Sequence, residues 1–303
     1  MRNLTPTREH ENRAEGIVGV VAAVAAWGFG PIFIKLIGLP GLTLVTYRLW
    51  LGFAVMALFT LVTRRRITGD DVRRAALGGA LFGGNVMFFV NAIKHTSVAD
   101  ASLITALAPV LILVAAGPMF GEKVAFRDLV LTAVILAGVG LVVIGSSGSP
   151  EWSVLGDVLA VGALITWAAY FVATKRARLT MGTAEYQTVV MLVASLVATP
   201  YALLAGAQFV KPGSDDWFWL ALFVVVPGAV GHGIMSWSHR YVDVSVSSLI
   251  VVAQPVVSAV AAAVFLDEGL GALQLLGGGI VLVAIGVLVH GHRPLEAQIV
   301  EAE

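Results

Sequence analysis

The chain has 303 residues, zero formal net charge, 58% hydrophobic and only 13% charged residues, and a mean hydropathy of +0.90. A water-soluble domain carries about 25% charged residues, so most of this chain cannot face water. That excludes a soluble enzyme, and the lack of a Lys/Arg-rich face excludes a nucleic-acid binder. There is no cysteine, so disulfides, thiolate metal sites and cysteine nucleophiles are excluded too.

Residues 1–16 form a polar tail of mixed charge. An apolar run follows from Ile17. Ala23-Val24-Ala25 mimics a cleavage site, but the apolar stretch before it is shorter than a signal peptide needs. We read the run as an uncleaved first membrane helix. Runs long enough for a bilayer core recur, and we place helices at 17–37, 42–63, 75–93, 97–119, 127–145, 153–174, 184–206, 217–236, 244–266 and 271–290. The breaks carry turn chemistry, as in Leu39-Pro40-Gly41, Ser146–Pro150 and Lys211–Asp215. A second tail covers 291–303.

Of the 19 Lys and Arg residues, 15 fall on one side of this arrangement. The opposite side has Lys94 and Lys211, and Lys35 and Arg48 lie within spans. The positive-inside rule makes the rich side cytoplasmic. Both termini are then cytoplasmic, which an even number of spans requires, in a plasma (inner) membrane.

The sequence repeats internally. At an offset of 146, residues 98–143 match 244–289 at 14 of 46 positions without a gap. Ser102-Leu103-Ile104 meets Ser248-Leu249-Ile250, Pro109 meets Pro255, and Glu122 meets Glu268. At an offset of 140, Gly16 meets Gly156, Trp27 meets Trp167, and Lys35 meets Lys175. The chain is therefore read as two five-helix units, 17–145 and 153–290. Five is odd, so the second unit enters from the opposite side. The expected fold is all-α and integral to the membrane, with ten transmembrane helices as two inverted repeats, an arrangement of secondary transporters whose site lies at the repeat interface.

The Trp-Gly…Lys first helix, the arginine in the second and the two "SLI…P…GE"-type stretches resemble the EamA family of the drug/metabolite transporter superfamily, across residues 17–290. The resemblance implies a metabolite carrier, often an exporter of amino acids or other small organic compounds. The second copy departs from the pattern, because Thr188 stands where Arg48 stands in the first.

Arg48 lies about two turns inside the second helix. A charge at a helix centre costs about 2.5–3.5 kcal/mol on insertion scales, so it faces a cavity or a partner. Asp100 and a solute carboxylate are the candidates, against structural pairing or snorkelling. Asn85 and Asn91 on the third helix, being amides, should avoid lipid and serve as interhelical glue or solute contacts. Gly79 and Gly83 there have small-residue packing spacing. Trp167 and Tyr170 are candidate walls for an organic solute, whereas Trp217, Trp219 and Trp237 fit an interfacial belt better. His232 is a candidate proton acceptor or a packing histidine. Gln254 sits mid-way along the ninth helix.

A second set is read as gate or hinge. Gly28 and Gly30 admit a neighbouring helix, and Pro31 allows a bend beside the solute path. Lys35 and Lys175 lie near opposite interfaces. They either snorkel or close outer and inner gates in turn against a helix C-terminus or a carboxylate. Pro109 and Pro255 deprive the carbonyls of Thr105 and Val251 of their usual donor, leaving them to solute, to water, or to Ser102 and Ser248. Glu122 and Glu268 are expected to cap the start of the following helix, or to hold a coupling ion.

His95 and Asp100 share an HxxxxD spacing found in acyltransferases, but on the outer face and without a supporting motif. Hence the expectation is a secondary carrier rather than a channel, a structural membrane protein or a lipid-modifying enzyme. Its partners are a small-molecule solute, a proton as candidate coupling ion, and the bilayer, with no nucleic acid, no cofactor and no metal. One chain suffices, as a monomer or within a homodimer.

Overall fold

The structure is a computed structural model describing residues 6–96, 98–122, 124–147, 153–265 and 269–291. Lipid offers the backbone no partner, so each apolar run must close its own hydrogen bonds as a helix. Among the described residues ten helices are long and apolar enough to cross a membrane. They are α1 (Arg13–Leu36), α2 (Gly41–Val62), α3 (Gly69–Ile93), α4 (Ala101–Phe120), α5 (Phe126–Gly145), α6 (Val154–Arg178), α7 (Thr183–Leu204), α8 (Ser214–Ser238), α9 (Val244–Phe265) and α10 (Ala272–Gly291). The outside is apolar all round, with Leu61, Val114, Leu155, Leu204, Phe265 and Val283 exposed, as a lipid-facing surface requires.

Two helix starts differ from the sequence reading: the first helix begins at Pro6 within the stretch read as a tail, and the third begins six residues early. Hydropathy starts the third helix at 75, yet the chain is helical from Gly69. Thr68 Oγ1 accepts the amide of Asp71, and the Asp71 carboxylate accepts the amide of Thr68 at 2.9 Å. This capping box satisfies two orphan donors and draws the charged turn into the helix.

Three helices are interrupted, each near a proline. The first breaks at Phe29, between segments Pro6–Gly28 and Gly30–Leu36. The fourth is split into Val98–Thr105 and Ala108–Phe120, the ninth into Val244–Val251 and Gln254–Phe265. Pro31, Pro109 and Pro255 each lie in the first turn of the second segment, where a missing N–H costs no intrahelical bond. They restart helices rather than merely bend them. The two breaks in α4 and α9 fall at equivalent positions, 105 with 251 and 108 with 254. Ser248 does not serve Val251, since its hydroxyl donates to the carbonyl of Ser245. The eighth helix carries a π-helical stretch, Val224–Gly231, around Pro227.

Packing joins α3 to α6 and α7, α1 to α8 and α9, α2 to α7 and α8, α4 to α6 and α9, and α5 to α10. Gly79 and Gly83 make the α3–α7 contact possible. A Cβ on Gly83 would lie 2.9 Å from the carbonyl oxygen of Ala194, and one on Gly79 2.6 Å from Val193 Cβ. One core lies among α1, α4, α5, α6, α9 and α10, the other among α2, α3, α6, α7 and α8. Trp167 of α6 packs against both.

Candidate functional site

At the seam between the two cores, aromatic rings surround His232, the first residue after the π-helical stretch. Its imidazole lies 4.8 Å from Trp27 and 4.9 Å from Phe82, centroid to centroid. Tyr170 packs on Phe82 at 5.0 Å and brings its hydroxyl to 3.5 Å from His232 Nδ1. Trp167 completes the group, 5.8 Å from Trp27 and 5.5 Å from Tyr170. The π-helical stretch presents the carbonyl of Pro227 to Trp27 Nε1 at 3.0 Å. Gly231 lets the indole lie close, because a Cβ there would come within 2.8 Å of it. Gln187 Nε2 donates to the His232 carbonyl at 2.9 Å, while Gln187 Oε1 is buried without a hydrogen-bond partner among the described residues.

Beside this group lies a cavity lined by Arg48, Leu49, Gly52, Phe82, Met191, Val224 and Gly228. It has ≈ 10 Å³ open to the centre of a water-sized sphere, room for about one water molecule. The Arg48 guanidinium stands 4.3 Å above the Phe223 ring. Among the described residues it has no ion pair and no hydrogen bond. The side chain of Asp100, its candidate partner, lies outside the described residues, as do Glu268 and the side chain of Lys94. Thr188 is tied to α2 through Thr60 at 2.8 Å and the Met56 carbonyl at 3.1 Å.

Other named residues lie apart from the cavity. Asn85 donates to the Ala163 carbonyl of α6 at 2.9 Å, a bond between helices. Asn91 turns back to the Met87 carbonyl of its own helix at 2.7 Å. Gln254 reaches the Trp27 carbonyl at 3.5 Å, where α1 breaks. Gly28 is pressed on α9, since a Cβ there would meet Val257 Cγ1 at 2.3 Å. Gly30 is buried in the restart of α1, and Pro31 and Lys35 are exposed beyond it.

On the side where α1 begins, charged side chains tie the helix ends together. Lys175 Nζ is buried and donates to the Val242 carbonyl at 2.5 Å. Arg178 Nε donates to the Ser236 carbonyl at 2.9 Å. Arg13 pairs with Asp243 at 2.8 Å. Glu122 caps a helix, but not the one that follows it. Its carboxylate accepts the amides of Val244 and Ser245 at 2.8 and 3.1 Å and the Ser245 hydroxyl at 2.6 Å, at the start of α9. Asp128 caps the following helix instead, through the amide of Ala125 at 3.0 Å. The ends of α4 and α6 and the start of α1 thus converge on the α8–α9 linker. Among the described residues no three His, Asp or Glu side chains are grouped as a metal site needs.

The sequence profile of the EamA-like transporter family matches twice, over residues 14–144 and 154–290. The chain belongs to this family. An uncharacterized transporter of Archaeoglobus fulgidus is 27% identical to this EamA-like transporter over 276 residues, covering 90% of this chain and 95% of the relative. Protein RarD of Salmonella typhi is 29% identical over 199 residues, 63% of either chain. A solved crystal structure superposes with a TM-score of 0.84 over 94% of this chain and 99% of its own, at 20% identity, a likeness of fold. This EamA-like protein is accordingly a membrane transporter of the drug/metabolite type and not an enzyme.

Sequence reasoning passed over Trp27, Phe82, Phe223 and Gln187 as site residues. Trp27 carried a usable signal, being the repeat counterpart of the named Trp167. Phe82, Phe223 and Gln187 carried none, because nothing local separates them from packing residues.

Proposed function

We propose that this EamA-like transporter is a secondary carrier for a small organic metabolite bearing an anionic group, such as an amino acid, and that it works by alternating access. The observation that carries this reading is Arg48. A cation beside an internal cavity, stacked on a ring and without a carboxylate among the described residues, suits a solute that brings its own negative charge. The rings of Trp27, Phe82, Trp167, Tyr170 and His232 offer an apolar wall for the rest of that solute.

Two inverted five-helix halves are part of the proposal. The family profile matches twice, α4 and α9 break at equivalent residues, and the helix contacts keep their pattern when each helix is exchanged for the one five later. The lysine and arginine bias assigns both termini to the cytoplasm. On that assignment the closed side, with Lys175, Arg13 and Glu122, is cytoplasmic. The cavity must widen to admit a metabolite, and Gly28, Gly30, Pro31, Pro109 and Pro255 lie at the helix breaks where movement would be absorbed. The sequence has no nucleotide-binding motif, which favours a proton or solute gradient as the drive, and export is the family expectation.

Solute counterflow in proteoliposomes tests the reading, with solutes chosen by a thermal-shift screen of amino acids, nucleosides, polyamines and cationic drugs. Saturable exchange that Arg48→Ala abolishes while the protein still inserts is expected. Uptake without exchange would mark a channel, and unaltered exchange in Arg48→Ala would remove Arg48 from the site.

A further inference from the structure

The end of α8 holds polar side chains that the carrier reading does not use. His239 is 0% exposed, and neither ring nitrogen has a hydrogen-bond partner among the described residues. Ser236 Oγ and Ser238 Oγ are buried without partners as well. A neutral imidazole carries one donor and one acceptor, so this ring is poorly served where it lies. It stands edge-on to Phe171 of α6, with centroids 4.5 Å apart.

The charged groups acting on the ring are Lys175 and Arg178, both from α6. These two cations close on carbonyls of the segment that carries His239, at Val242 and Ser236. Elsewhere at this end, Arg13 from α1 is paired with Asp243, Glu122 from α4 holds the start of α9 and acts with Asp243 on Lys175, Glu185 from α7 pairs with Arg65 and acts on Arg178, and Arg240 is exposed. A proton on the ring would add a third positive charge beside these two. Burial first, and then Lys175 and Arg178, push His239 down to about 3, against about 6.5 for a hydrated imidazole.

We propose that His239 is a proton-binding site of the gate that Lys175 and Arg178 close, neutral while the gate is shut and protonated from the cytoplasm once water reaches the ring. This rests on the alternating-access reading. Protonation opposes re-closure, because the charged ring would have to be buried beside two cations. The closed state binds the proton more weakly than the open one. Its advantage is therefore complete above about pH 6.5 and falls as pH drops through that value toward the closed-state value. At pH 5.5 an open-state value near 6.5 shifts the balance toward the open form by about tenfold.

The chain has no native cysteine, so a single introduced thiol reports cleanly. Val242 is 0% exposed beneath the latch, and Val242→Cys in nanodiscs is treated with a membrane-impermeant maleimide between pH 5 and 8. The rate is divided by that of the same reporter carrying His239→Gln, which cancels the pH dependence of the thiol. The ratio should be flat above about pH 7, double near pH 6.5, rise about tenfold by pH 5.5 and still be rising at pH 5. His239→Asn serves as a second reference should the glutamine variant fail to fold. A flat ratio overturns the role of His239 alone. A reporter that never reacts at any pH in either background sinks alternating access through this face, and the proton site with it.

Discussion

Trp27 of α1 and Trp167 of α6 meet edge to face, 5.8 Å apart at an interplanar angle of 68°, and each is the other's counterpart at an offset of 140 residues. If a two-fold axis relates the halves, equivalent residues that touch lie beside it, and His232 packs on the same Trp27 ring. The pair is not equal in its bonds. Trp27 Nε1 is held by the Pro227 carbonyl.

That inequality is measurable. Trp27→Phe keeps a ring but removes the donor, leaving the Pro227 carbonyl unmet. Hydrogen bonds between membrane helices average about 0.6 kcal/mol and reach about 1.7. Thermal unfolding in detergent should show a loss in that range, larger than for Trp167→Phe. Equal losses would mean that the indole bond contributes nothing.

Arg48→Lys preserves the charge and still should not restore transport. The ammonium is a strongly hydrated point charge, without the planar fork that stacks on a ring and grips a carboxylate in two places. Exchange in proteoliposomes should fall at least about tenfold, the loss of roughly one good charged hydrogen bond. Full activity in the lysine variant would reduce the role of Arg48 to net charge.

Glu122→Ala should destabilise the closed end more than Glu122→Gln. Alanine leaves the first amides of α9 with no acceptor, which costs about 0.5–2 kcal/mol at a helix start. Glutamine keeps one carbonyl oxygen but loses the charge facing the helix dipole. The order of melting temperatures, wild type above glutamine above alanine, checks this.

Gly83→Ala should lower stability, because the added methyl would lie 2.9 Å from the Ala194 carbonyl oxygen and 3.0 Å from its Cα, with backbone on both sides that cannot give. At Gly233 nothing lies within 4 Å of the same methyl. Gly233→Ala should be neutral or raise stability by up to about 1 kcal/mol through helix propensity. Melting curves of the two variants in one detergent decide the contrast.

Much of the architecture was legible residue by residue. Lipid admits the backbone only as a helix, so apolar runs such as 271–290 could be counted as spans. Pro109 and Pro255 marked irregular points in their helices, because neither can donate a backbone bond, but that each helix stops and restarts there was seen only in the structure. The proline at 31 was read as a bend, and the structure shows a break at Phe29. The charged turn at Asp70–Arg74 was misread as loop, since hydropathy does not register a capping box.

The partner of each polar group was decided only in three dimensions. Glu122 passes over its own next helix to cap α9, 122 residues away. Asn85 finds α6, whereas Asn91, six residues later, finds its own backbone. His239 is buried beside two cations that α6 supplies. The amino-acid order by itself determined how often the chain crosses lipid and how its halves correspond, because hydration cost is paid locally, residue by residue. Tertiary packing alone decided which donor meets which acceptor, because those distances depend on how helices far apart in the chain cross.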